Sequence, residues 1–133
     1  MVNPLCRYGA LALAYCLLVG HPVSAAEIPP AIAQYLDVDL LTVARHRHFP
    51  YRAMVARAAT GDREALLSLV SFTCQLSGLA SPSADHGGVL TRLYETLGPA
   101  PFRDVFRRVP RKTRGEALGL MRIMSYHPER IRL

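Results

Sequence analysis

The chain has 133 residues, half of them apolar, with three cysteines, no tryptophan and a formal charge of +6. That length gives one domain with a core large enough to fold without covalent staples. Three cysteines in such a chain exclude the small cysteine-stapled scaffolds, which need a dense disulfide framework.

The chain opens on an export signal. One positive side chain, Arg7, precedes an unbroken apolar run of 11 residues over 9–19. Gly20-His21-Pro22 breaks the run, and Val23-Ser24-Ala25-Ala26 supplies small side chains for signal peptidase. This order of basic, apolar and small-residue regions is the secretory layout. As a helix the run is about 16 Å long, roughly half a bilayer core, and so too short for a transmembrane span. Lipoprotein processing at Cys16 is disfavoured by the bulky Tyr15 just before it. The expected division is a signal peptide over 1–26 and a single helical domain over 27–133, periplasmic or secreted. Cleavage after Ala25 or Ala26 fits equally well. Cys6 and Cys16 leave with the leader, so Cys74 is expected as a buried, inert thiol on an apolar helix face, with an intermolecular disulfide as the rival reading.

Every later segment reads as helix, and none shows sustained period-2 alternation. Residues 31–45 place Ile32, Leu36, Leu40 and Val43 at helical spacing, with a break at Asp37 or Asp39 and Asp39 as the cap. His46-Arg47-His48-Phe49 connects to a helix over 50–60, with Tyr51, Met54, Val55 and Ala58 inward and Gly61 as its stop. Asp62 caps the strongest helix, 63–77, whose stripe is Leu66, Leu69, Val70, Thr73 and Leu76. Ser81-Pro82 opens the next segment, although Gly87-Gly88 weakens its first half and points to a start after them. Gly98 ends it. Pro99 and Pro101 introduce a short helix with Phe102, Val105, Phe106 and Val109 inward, closed by Pro110. Thr113-Arg114-Gly115-Glu116 reads as a capping box for the last helix, which carries Ala117, Leu118, Met121 and Met124. Arg130-Ile131-Arg132-Leu133 is expected to fray.

The expected fold is therefore all-α, about six short helices joined by short connections, in an antiparallel bundle or a repeat-like stack. Ala59-Thr60-Gly61-Asp62-Arg63-Glu64-Ala65-Leu66, with the turn at Leu97-Gly98-Pro99, resembles the punctuation of helical repeat proteins of the HEAT and tetratricopeptide kind over residues 50–124. The resemblance implies stacked helices with a concave face for a protein partner. A plain bundle accounts for the same residues.

Charge is divided along the domain. Residues 27–98 hold 6 arginines against 7 acids, whereas residues 99–133 hold 9 basic side chains against 3 acids. Arg103, Arg107, Arg108, Arg111, Lys112 and Arg114 are the candidate contact residues for an anionic partner. A protein partner is the leading expectation, of the kind met by an inhibitor or immunity protein; anionic lipid or lipopolysaccharide is the alternative. Nucleic acid is disfavoured, because export removes the protein from it and the basic stretch lacks a stacking platform. No catalytic, cofactor or metal motif is present. His46 and His48 read as solvated histidines of a turn, without carboxylate or thiol partners at ligand spacing. Asp85-His86 with Ser81 and Ser83 cannot easily form a relay, since neighbours on one helix diverge. Asp37 and Asp39 read as helix-end residues rather than an acid–base pair. Phe102, Phe106 and Tyr94 read as core.

Overall fold

The computed structural model describes residues 28–133; the expected leader lies outside the described residues. The described residues are all-α, with no strand. Seven α-helices follow in order: α1 (Pro30–Ala33), α2 (Val38–His46), α3 (Tyr51–Ala59), α4 (Arg63–Phe72), α5 (Ala80–Leu97), α6 (Pro99–Arg108) and α7 (Arg111–Met124). A 3-10 turn over Thr73–Leu76 extends α4, and another, Pro128–Arg130, follows α7. Among the described residues no helix is long and apolar enough to cross a membrane.

α5 is the axis of the bundle. It packs most extensively on α7, and it also touches α1, α2, α3 and α6. Leu90 and Leu93 on its buried face meet Leu40, Met54, Leu69, Phe102 and Met121 in one continuous core. The inward faces expected of α3 and α6 are both buried. Phe49 closes onto the same core, its ring stacked on Phe72 with centroids 4.4 Å apart.

Helix ends follow local chemistry in some places and tertiary contact in others. The Asp62 carboxylate accepts from the Glu64 and Ala65 amides at 3.0 Å, as its position predicted. Gly61 turns the chain there with φ +95°, a conformation that L side chains rarely adopt. The first helical stretch does break, but Asp37 takes the cap position and Asp39 falls in the first turn of α2. α5 starts at Ala80, so Ser81 is not its cap. The capping box at Thr113 is also overturned. Pro110, with φ −57° and ψ 149°, supplies the extended residue before the helix, and α7 starts at Arg111. Thr113 is then buried inside the first turn, and Glu116 faces Lys112 at 3.9 Å.

The glycine pair is the largest departure from the sequence reading. Gly87 and Gly88 lie inside α5 and are buried. A Cβ on Gly87 would stand 2.9 Å from the Leu120 carbonyl oxygen, and one on Gly88 would overlap the Tyr35 ring. Two helix-weakening residues are kept because they let α7 and Tyr35 approach the α5 backbone. Beside them, Thr91 shares its hydroxyl proton between the Gly87 and Met121 carbonyls at 2.8 and 3.0 Å, pinning the seam.

Gly87→Ala is accordingly expected to destabilise the fold by about 1–3 kcal/mol, despite the gain in helix propensity. On α7, a Cβ at Gly115 or Gly119 would meet nothing within 4 Å. Alanine at either should stabilise by about 0.5–1 kcal/mol. Thermal midpoints moving in opposite directions support the close α5–α7 approach; a common direction contradicts it.

The C-terminal residues are docked, not frayed. Ile131 is 3% exposed. The Tyr94 hydroxyl donates to the Arg130 carbonyl at 3.1 Å and accepts from the Arg132 amide at 3.3 Å. The expectation for Cys74 is corrected as well. The 3-10 turn shifts it off the buried stripe of α4; it is half-buried and disulfide-bonded, not a free thiol.

Candidate functional site

α6 and α7 form the basic end. α6 puts Phe102, Val105 and Phe106 into the core, which leaves its charged positions facing outward. Arg103 and Arg107 are four residues apart and share one face. Across Pro110, Arg111, Arg114 and Leu118 of α7 recur at helical spacing. These two faces enclose an open surface groove of about 530 Å³, lined by Arg103, Phe106, Arg107, Arg111, Arg114, Gly115, Leu118 and Leu133. No acidic side chain lines it. Its apolar lining is Phe106, buried, Leu118, half-buried, and Leu133, exposed; Arg103, Arg107 and Arg111 are exposed and Arg114 is half-buried.

The six basic residues expected as one patch thus divide. Four line the groove. Arg108 turns the other way, donating to both Glu64 carboxylate oxygens at 2.7 and 3.3 Å and tying α6 to α4. Lys112 is 84% exposed, near Glu116 and off the groove. Arg107 is 77% exposed and lies 4.0 Å from Asp104, whose other oxygen is taken by Arg63. Among the described residues Arg103, Arg111 and Arg114 make no ion pair. The groove's positive charge is therefore only slightly neutralised from within.

Arg122 and Arg132 extend this surface and were missed. They line an adjoining cleft of about 540 Å³ with Pro128, Glu129 and Ile131, and both clefts share Arg103 and Leu133. Arg122 had a signal: it follows Arg111 by eleven residues, three helical turns along one face. Arg132 had none, because its place depends on the tail docking against Tyr94.

A second constellation is buried. His86 is fully enclosed. Its Nδ1 lies 2.5 Å from the Tyr51 hydroxyl and its Nε2 3.0 Å from Thr73 Oγ1. Burial holds the Tyr51 phenol well above its ordinary pKa, with the Asp85 charge adding to this, so the hydroxyl stays protonated. A neutral imidazole between the two hydroxyls donates from one nitrogen and accepts at the other. Burial pushes the imidazole pKa down to about 3, against an opposing hydrogen bond to the Leu69 backbone. The ring is neutral across the physiological range and neither cleft reaches it. It completes the polar bonding of the core.

Asp85, beside it in sequence, has its pKa raised by burial and by the charges of Asp37 and Asp39. Ser83 donates to the Leu76 carbonyl at 2.9 Å, so its hydroxyl is engaged in the turn before α5. His46 and His48 are exposed. Among the described residues no group of three His, Cys, Asp or Glu side chains is placed to hold a metal ion.

No protein-family model matches the chain, nor does any curated protein or solved structure.

Proposed function

We propose that the chain is an exported, non-catalytic binding module of the bacterial envelope, which holds an acidic protein partner at the arginine groove between α6 and α7. The observation that carries this reading is the groove itself: four arginines from two helices around one concavity, with no acidic side chain in its lining. Guanidinium groups so arranged favour carboxylates, which they can hold through paired hydrogen bonds. The secretory layout of residues 1–26 supports the location. An inhibitor or immunity protein that blocks an envelope enzyme is the concrete form.

The test is capture from periplasmic extract by the wild type and by a variant with Arg103, Arg107, Arg111 and Arg114 changed to Ser. An acidic partner retained only by the wild type supports the reading. Identical partner sets from both proteins overturn it. Intact mass of the exported protein after reduction checks the location: loss of residues 1–26 supports it, and a full-length mass contradicts processing.

The apolar lining among the arginines favours a second reading, attachment to anionic lipid or lipopolysaccharide. Binding to anionic vesicles that falls steeply with added salt would support it.

A further inference from the structure

We propose, resting on the reading of the groove as the partner-contact surface, that its occupant is a protruding acidic segment of the partner that inserts one large apolar side chain between carboxylates. The groove has the size of a site for a small molecule or a few side chains, not that of a flat interface. Its chemistry is mixed. Phe106 is buried and Leu118 half-buried in the lining, Leu133 is exposed at it, and Arg103, Arg107, Arg111 and Arg114 supply the charge. A ligand that satisfies both parts carries an apolar group at its centre and negative charge on both flanks.

Exposure also discriminates between partners. A surface that enters a bilayer carries its apolar side chains outermost, with the charges set back at headgroup level. Here Arg103, Arg107 and Arg111 are exposed, and of the apolar lining only Leu133 is exposed. Stacking of nucleic-acid bases requires exposed rings, and Phe106 is 3% exposed. Gly115 supplies the remaining opening. A Cβ there meets nothing within 4 Å, so the α7 wall is cut away beside the apolar lining. The glycine weakens its own helix by about 1 kcal/mol relative to alanine. Unlike Gly87 and Gly88, it admits no neighbouring part of this chain.

The position allows the groove to be filled with every arginine kept. Two fluorescein-labelled peptides serve as probes, Gly-Asp-Glu-Phe-Glu-Asp-Gly and the same sequence with serine for phenylalanine, followed by anisotropy at low salt. The wild type is expected to bind the phenylalanine peptide about tenfold or more tightly than the serine peptide. Gly115→Leu should abolish that preference while leaving the serine peptide's affinity nearly unchanged. The pair Arg107→Ser and Arg114→Ser should weaken both peptides. Circular dichroism melts establish that each variant is folded.

Equal affinity for the two peptides, unaltered by Gly115→Leu, overturns the insertion and leaves a merely basic contact surface. Failure of both peptides to bind overturns the contact surface as well. Tighter binding to phosphatidylglycerol vesicles than to either peptide, undiminished by Gly115→Leu, assigns the groove to a membrane and also overturns the proposal.

Discussion

His86→Ala is expected to destabilise the domain by about 3–5 kcal/mol, a large fraction of the stability of a domain this size. The substitution removes a fully buried ring, leaves space in the core, and strands the Tyr51 and Thr73 hydroxyls without their partner. The same ring makes stability depend on pH. In the folded chain it stays neutral down to about pH 3, whereas in the unfolded chain it takes up a proton near its ordinary value of 6.5. Between those values the unfolded state binds more protons, so stability rises with pH. The contribution is complete above about pH 6.5 and is lost progressively as pH falls toward 3. Between pH 7 and pH 4.5 this loss is roughly 2–3 kcal/mol.

Two carboxylates modify the lower end of this window. Burial alone would raise the pKa of Asp62, but the Ala65 and Glu64 amides and Arg57 outweigh it and hold it below the usual value. Its contribution is therefore present above the unfolded value and lost as acid protonates it. Asp85, raised, acts in the opposite sense and favours the fold as it protonates. Urea unfolding of wild type and His86→Gln at pH 7 and 4.5 separates the imidazole from both. The variant should be less stable at pH 7 yet lose much less on acidification. Equal losses in the two proteins would remove His86 as the cause.

Charge reversal in the groove is the second large effect. Arg107→Glu with Arg114→Glu is expected to weaken partner binding about a hundredfold or more, through like-charge contact and lost steering. Stability should move by no more than about 0.5 kcal/mol, because neither residue is buried or ion-paired to another helix. The pair Arg108→Ser and Lys112→Ser removes the same number of positive charges from the same stretch of sequence. Since Arg108 faces Glu64 and Lys112 faces Glu116, binding should change less than about threefold. Equal losses from Arg107→Ser with Arg114→Ser and from Arg108→Ser with Lys112→Ser would mean a diffuse positive field, without a groove.

This contrast shows where the sequence was informative. Spacing along one helix puts Arg103 and Arg107, four residues apart, on one face. It could not place Arg108, because its partner Glu64 is 44 residues away. Caps were legible where a carboxylate met its own helix, as at Asp62. They failed at Thr113, where the backbone geometry of Pro110 had already started α7. Gly87-Gly88 read as a helix breaker because glycine's local cost is visible in sequence, whereas its benefit lies on Leu120 and Tyr35. His86 precedes Leu90 by four residues and Leu93 by seven, so its place on the buried face was readable. Its partners Tyr51 and Thr73 were not, since they reach it only when α3, the turn after α4, and α5 come together. The tail was misjudged for a related reason: two arginines flank Ile131, but Tyr94 and the core hold it down.

The central claim is that one end of a small helical bundle, the concave α6–α7 face, is the molecule's contact surface. Hydrogen exchange on the captured complex, compared with the free protein, tests it most directly. Slower exchange is expected over residues 99–124 on binding, with no change over 38–46, on the far side of the charge division. Protection centred on 38–46, with 99–124 unaltered, would contradict it.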